Sequence, residues 1–234
     1  MIKIDSATKK YGALTAVDSV SFEVRKGEYF ALLGPNGAGK TTIVKMLLDF
    51  TSPTSGRVSI DGIPSGETAA RAGIGYLAEN HKIPAHLSGY AYLARCADYI
   101  GLPRAEAKGQ IGKIIDIVGM AGKERDLSKT YSKGMVQRIG LGSCLLGKPK
   151  VLILDEPTEG LDPIGIREVR MILENLRKDG VTVLLNSHLL SEVEKICDTA
   201  AIIRKGKLLV KDAISSIVKE GENLEDVFVR YVQG

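Results

Sequence analysis

Gly34-Pro35-Asn36-Gly37-Ala38-Gly39-Lys40-Thr41 fits the pattern G-x-x-x-x-G-K-[ST], and it follows directly on the apolar run Tyr29-Phe30-Ala31-Leu32-Leu33. A short apolar run that ends in a Gly/Pro/Asn turn predicts a buried parallel strand feeding a helix. The helix is predicted from Lys40 to about Asp49, with Pro53 and Gly56 closing the unit. Glycines let the loop curl so that successive backbone N–H groups point inward, a cradle for phosphate oxygens. The helix beginning near Gly39 adds its positive N-terminal end. In such a cradle Lys40 reaches the β- and γ-phosphates and the Thr41 hydroxyl is placed for Mg²⁺, with Thr42 beside it. The plain alternative is a glycine-rich turn without a ligand. The position between an apolar strand and a helix argues against it.

A second apolar strand, Val151-Leu152-Ile153-Leu154, runs into Asp155-Glu156-Pro157. A carboxylate at the C-terminal end of a strand sits at the ligand edge of an open α/β sheet. Asp155 is therefore the candidate Mg²⁺ ligand, directly or through water. Glu156 is the candidate base that orients and deprotonates an attacking water. Pro157 ends the strand. Two solvated acids in a strand-end loop would look the same in isolation; beside the phosphate loop they define a nucleotide hydrolase.

Outward from these two sites the chain alternates strands and helices. Strands are predicted at Ile2–Ile4, Val20–Val24, Ile74–Leu77, Val181–Leu185 and Ala200–Ile203, and helices at Pro163–Lys178 and Ser191–Ile196. Such alternation implies a mainly parallel sheet covered by helices. Between about 80 and 147 the strand signal fades, and helices are predicted at Gly89–Ile100, Arg104–Val118 and Lys133–Leu146. The expected organisation is one α/β domain. A nucleotide-binding core spans about 1–80 and 148–234, an antiparallel β subdomain opens it, and a helical subdomain is inserted at about 81–147.

Composition narrows the classes. With 234 residues, 44% apolar and 26% charged, the chain suits an ordinary globular domain. Its net charge of +4 and lack of tryptophan give no footing for nucleic acid. Cys96, Cys144 and Cys197 are scattered, without CxxC spacing, as expected of reduced, packed thiols. Met1-Ile2-Lys3-Ile4-Asp5 lacks the layout of a signal peptide, and the apolar runs are too short to span a bilayer, so a cytoplasmic location is expected.

Four further segments choose among nucleotide hydrolases. Tyr131-Ser132-Lys133-Gly134-Met135-Val136-Gln137-Arg138 stands at a predicted helix start, Glu159-Gly160-Leu161-Asp162 follows Pro157, Asn186-Ser187-His188 follows a strand, and Tyr11 precedes the phosphate loop. In this order they resemble the signature, D-loop, switch histidine and adenine-stacking aromatic of ATP-binding cassette (ABC) ATPases. Read by itself, Ser132 is a good helix N-cap, and a helix N-terminus is an anion site. The resemblance implies that Ser132, Lys133, Gly134 and Met135 face the γ-phosphate of ATP held by a second subunit. It implies that His188 contacts the γ-phosphate and that Asp162 belongs to the nucleotide site. Tyr11 is a stacking candidate, though an exposed hairpin tyrosine would read alike, and His81 and His86 read as loop histidines without a role.

The chain departs from the family pattern in three places. Glu79, in Gly75-Tyr76-Leu77-Ala78-Glu79-Asn80, stands where the family has Gln, and Lys133 and Met135 replace Gly and Gln. A carboxylate at 79 can still ligate Mg²⁺ through oxygen, and it adds negative charge beside Asp155 and Glu156. Lys133 either adds a cation near the opposing phosphate or points to solvent. Met135 cannot make the hydrogen bonds of Gln. With Asn223-Leu224-Glu225-Asp226-Val227-Phe228, these features resemble ATPases paired with ABC-2-type membrane subunits. The resemblance implies a MgATP-driven export motor. It would act as a head-to-tail pair with a second ATPase subunit and an integral membrane permease, peripheral on the cytoplasmic face of the membrane. A soluble ABC ATPase for macromolecular assembly or remodelling is the alternative; a small-molecule kinase is disfavoured by the signature and by Glu156. Slow basal turnover is expected of the isolated chain, well below the ~10 s⁻¹ of a typical enzyme, as read by phosphate release.

Overall fold

The computed structural model describes residues 1–233. The chain opens with strands β1 (Ile2–Tyr11), β2 (Leu14–Val24) and β3 (Tyr29–Leu33), then helix α1 (Lys40–Leu47). Next come β4 (Ser55–Ile60), β5 (Ile63–Pro64), α2 (Thr68–Arg71) and β6 (Ile74–Leu77). A helical stretch holds α3 (Gly89–Tyr99), α4 (Arg104–Ile117) and α5 (Lys133–Cys144). Then follow β7 (Val151–Asp155), α6 (Pro163–Lys178), β8 (Thr182–Asn186), α7 (Leu190–Ile196), β9 (Thr199–Arg204) and β10 (Lys207–Ala213), and finally α8 (Ile214–Ile217) and α9 (Leu224–Gln233). The chain divides into two compact units, Met1–Ala72 with Thr182–Gly234, and Gly73–Val181.

In the first unit, β1 is the central strand of an antiparallel sheet ordered β2-β1-β4-β5. Its start alternates buried Ile2 and Ile4 with exposed Lys3 and Asp5, and register places Ile2 opposite both Val24 and Ile60. Alternation of this kind marks a sheet with one face on the core. Beside it β3 pairs in parallel with β8 and β9, and β9 pairs antiparallel with β10. All five residues of β3 and of β8 are buried, as expected of strands covered on both faces. Phe22 of β2 stacks on Phe30 of β3 with ring centroids 5.1 Å apart.

In the second unit β6 and β7 run parallel, with Ile74 opposite Val151 and Leu77 opposite Leu154. Helices α3, α4 and α5 pack on one another, and α5 packs on β6. The spacing of Val169, Ile172, Leu173 and Leu176 gives α6 a single buried face. Each such side chain contributes about 1.5–3 kcal/mol by leaving water. Among the described residues no helix is long and apolar enough to cross a membrane.

The predicted strands and helices form, most with ends shifted by a few residues, whereas β4, β5, α2, β10, α8 and α9 are not among the predicted elements. β1 and β2 extend well beyond Ile2–Ile4 and Val20–Val24 because both bulge: Ser6 and Ser19 adopt left-handed backbone (φ 48° and 49°), and the register slips there. Gly56, read as a terminator, lies inside β4. β10 carries Leu208-Leu209-Val210 between charged residues, lies exposed to part-exposed along its length, and takes its pairing from β9. Packing of α5 on β6 is close at Gly75, where a Cβ would run into the Cys144 carbonyl and come 2.7 Å from Leu152 Cδ2. Gly75→Ala is therefore expected to lower stability by about 1–3 kcal/mol through overpacking, measured by urea unfolding.

Candidate functional site

Both halves of the sequence-predicted site lie at the C-terminal ends of parallel strands. In the first unit, β3 delivers the chain to Gly34, where a Cβ would collide with the Ile203 carbonyl oxygen of β9. Gly39, with φ 110°, is the N-cap of α1 and makes no side-chain cap. A Cβ on Gly39 would also lie 2.5 Å from the Ala16 carbonyl. Only glycine satisfies both the backbone angle and the approach. The Lys40 ammonium donates to the carbonyls of Gly34 (2.6 Å) and Pro35 (3.3 Å), so it bridges the loop's entrance and its helix. The Ala38 N–H closes a turn on the Pro35 carbonyl. Asn36, Gly37 and Thr41 are exposed, and Thr42 is part-buried on the first helical turn. A helix start directs its first N–H groups outward, and with Lys40 they make a polyanion cradle.

His188 is exposed just past β8, after buried Asn186 and Ser187, and the Ser187 hydroxyl accepts from the Leu189 N–H at 3.2 Å. Tyr11 ends β1 at 47% exposure, with the Lys9 ammonium 5.0 Å from its ring centre. An aromatic face left this open can take a second planar partner.

In the second unit, parallel pairing of Leu77 with Leu154 puts the ends of β6 and β7 at one edge. Glu79 and Glu156 each stand two residues past that pair. Asp155 is 4% exposed, Glu156 is part-buried and Glu79 is exposed. Glu156 adopts left-handed backbone with φ 50°. That conformation strains a non-glycine residue by about 1–3 kcal/mol, and the tight turn that follows holds it, with the Glu159 N–H donating to the Glu156 carbonyl at 3.2 Å. Burial first, then the Asp155 and Glu79 carboxylates, push the Tyr76 phenol above its usual range, so this edge is an acidic, partly desolvated environment. Thr41 and Asp155 offer hard oxygen donors of the kind that suit Mg²⁺. Among the described residues no cluster of three His, Cys, Asp or Glu forms a complete metal cage.

Ser132 caps α5, its hydroxyl accepting from the Met135 N–H at 3.2 Å. Asp162 caps α6 in the same way, accepting from the Gly165 N–H at 2.8 Å with Pro163 in the first turn. The two segments touch. Lys133 lies across Gly160, so that a Cβ there would strike its ammonium, and Gly134 faces Leu161. Lys133 is exposed, with its stem along the Glu159–Asp162 turn. The Tyr131 hydroxyl accepts from the Gly89 N–H (3.1 Å) and donates to the Lys123 carbonyl (2.8 Å), fastening the approach to Ser132. Arg138, on the same helix, bonds the Gly119 carbonyl at 3.1 Å and lies 3.4 Å from Glu168. Nothing in the sequence pattern marks Tyr131 or Arg138 for these long-range contacts.

His81 and His86 both lie in the loop that follows β6, in unlike surroundings. His86 is exposed, but His81 is part-buried, with its ring edge-on to Tyr92 (5.5 Å, 68°) and its Nε2 shielded. Burial pushes its pKa below the usual imidazole value. A lone histidine two residues past a strand-end acid carries no sequence signal for this packing.

The family model described as ABC transporter matches residues 17–159. The lantibiotic transport ATP-binding protein SrtF of Streptococcus pyogenes is 37% identical over 228 residues, 97% of this chain and 96% of that protein. The chain belongs to the ABC transporter family. It is an ABC ATPase domain. The ABC transporter ATP-binding protein YhcH of Bacillus subtilis is 44% identical over 89% of this chain and 68% of its own length. Two further curated relatives are longer still, and this chain spans 62% and 59% of them. A solved structure of an ATP binding subunit of an ABC transporter superposes with a TM-score of 0.88 at 26% identity, covering 99% of both chains.

The Asp162 carboxylate is already engaged as a cap, which separates two roles experimentally. Asp162→Ala is expected to lower stability by about 1 kcal/mol, whereas Asp162→Asn keeps the cap and most of the stability. Thermal unfolding of the two variants checks this.

Proposed function

We propose that this chain is the ATP-hydrolysing motor subunit of a membrane transporter, most plausibly of an ABC-2-type exporter. The observation that carries the reading is the ordered set of three helix- and strand-end sites. These are the uncapped helix start at Gly39–Lys40, the buried strand-end Asp155 with Glu156, and the Ser132-capped start of α5. One chain has use for two anion-binding helix starts if each serves a different nucleotide. That is the arrangement of two copies meeting head to tail, each laying Ser132–Met135 over the phosphates held by the other.

In this reading the N–H groups of Gly34–Thr42 and the Lys40 ammonium hold the β- and γ-phosphates. Thr41 and Asp155 hold Mg²⁺, which neutralises charge on the phosphate oxygens when bound. Glu156 orients the attacking water and takes its proton, and His188 steadies the γ-phosphate. Tyr11 stacks on the adenine, and Glu79 either joins the cation's shell or relays its occupancy. Asp162 sets the start of α6 next to the signature. Closure of the pair on ATP and its release after hydrolysis would drive an integral membrane permease from the cytoplasmic face. SrtF, whose name assigns it to lantibiotic transport, supports a transport role.

Glu156→Gln is expected to bind ATP within about twofold of wild type and to lose phosphate release by about 100-fold or more, the contribution of a positioned base. The tagged variant, held with MgATP, is then used to pull partners from detergent-solubilised native membranes. Stoichiometric recovery of a multi-span membrane protein supports the transporter reading. Recovery of soluble partners alone leaves the ATPase and favours an assembly or remodelling role.

A further inference from the structure

Gly140 lies in the middle of α5, and two side chains from one short turn close on it. A Cβ at Gly140 would come 2.5 Å from His81 Cδ2, 2.9 Å from His81 Nε2 and 2.9 Å from Leu77 Cδ1. Leu77 ends β6 and His81 follows four residues later, so both ends of one short turn press on the helix at the glycine notch. The His81 N–H donates to the Ala78 carbonyl at 3.1 Å, which closes the arch as a tight turn. Glu79 is at its apex and is exposed. From the far side the His81 ring rests edge-on against Tyr92 of α3. Its Nε2 is buried in this packing and pairs with no group among the described residues. A buried polar atom without a partner in a packed site calls for an explanation.

We propose that His81 is a positioning residue, the pin through which the Glu79 turn is coupled to α5 and so to Ser132. The glycine notch lets an imidazole sit against the helix backbone, where no side chain at 140 would allow it. Helix α5 is a stiff bar. Ser132 lies eight residues from Gly140, ~12 Å along the axis at 1.5 Å per residue. A shift of the Glu79 turn is not absorbed at the notch, because Leu77 and His81 both pack against the helix there. The shift is carried to the helix start that presents Ser132. The sequence contains no hint of this, since Gly140 reads as one of several small residues on the helix and His81 as a loop residue.

The inference rests on the proposed role of Ser132 at the phosphate. The full chain is made as His81→Ala, His81→Phe, Gly140→Ala and the His81→Ala/Gly140→Ala pair. Each is measured for kcat, for equilibrium ATP binding and for thermal unfolding. Misplacement of a positioned group by about 1 Å costs up to about 100-fold. His81→Ala and Gly140→Ala are accordingly expected to lower kcat about tenfold while ATP affinity stays within about twofold. His81→Phe, which keeps the ring's shape, restores at least about half of kcat, and the double variant is no slower than either single one. The proposal is overturned if folded His81→Ala keeps kcat within about twofold of wild type, if ATP affinity falls as much as kcat, or if Phe is no better than Ala. Should Gly140→Ala fail to fold, the Ala and Phe variants at 81 decide alone. Ser132→Ala separates the two readings. A wild-type kcat there sinks the role of Ser132 and the coupling to it, whereas slow Ser132→Ala beside fast His81→Ala sinks the coupling only.

Discussion

An α-helix cannot satisfy the first N–H groups of its own backbone, and the functional parts of this chain are different answers to that one constraint. Helix α5 answers with the Ser132 hydroxyl and α6 with the Asp162 carboxylate, each closing a bond three residues on. Helix α1 has Gly39 in the same position, which brings no side chain to the task. Its donors are thereby left to whatever anion the loop encloses, and Lys40, folded back on the Gly34 and Pro35 carbonyls, keeps positive charge at that place. At α5 and α6 a short polar side chain takes one of the helix's first donors, and at α1 none does.

Parallel pairing does the same service for the acids. With Leu77 opposite Leu154, the two strands must end together, and whatever follows them shares an edge. Asp155, the last residue of β7, stays within the sheet's buried end, while Glu156 turns out through a left-handed backbone angle that a tight turn maintains. Two adjacent carboxylates thus receive unlike environments from one strand end, the condition for giving them unlike roles. Glu79 joins them by register, so its departure from the family's glutamine adds charge at the acidic edge and not at a remote loop. The raised Tyr76 phenol registers that charge together with its own burial.

Missing side chains shape the second unit as much as present ones. Gly75 admits the end of α5 against β6, Gly140 admits a histidine ring, and Gly160 admits the stem of Lys133. Each is a place where two segments distant in sequence touch closely enough that a methyl group would intrude. Lys133 and Gly160 join the Ser132 helix start to the Glu159–Asp162 turn.

By itself the sequence determined the fold class and the identity of the chemical groups. Gly34–Thr41 after a wholly apolar strand, the Val151–Asp155 strand with its trailing acid, and the Ser132 helix start are local patterns, because a turn, a strand end and a cap are each specified by a few consecutive residues. The tertiary structure alone decided what depends on distant partners. The exposed strand β10 exists because β9 offers it an edge, and β1 and β2 are long because their bulges absorb a mismatch that no single strand reveals. His81 became a packed residue because the helix against it carries a glycine fifty-nine positions away (140 − 81 = 59). Local propensity cannot register such pairs, since the free energy that fixes them comes from contact between surfaces and exists only once the chain has brought those surfaces together.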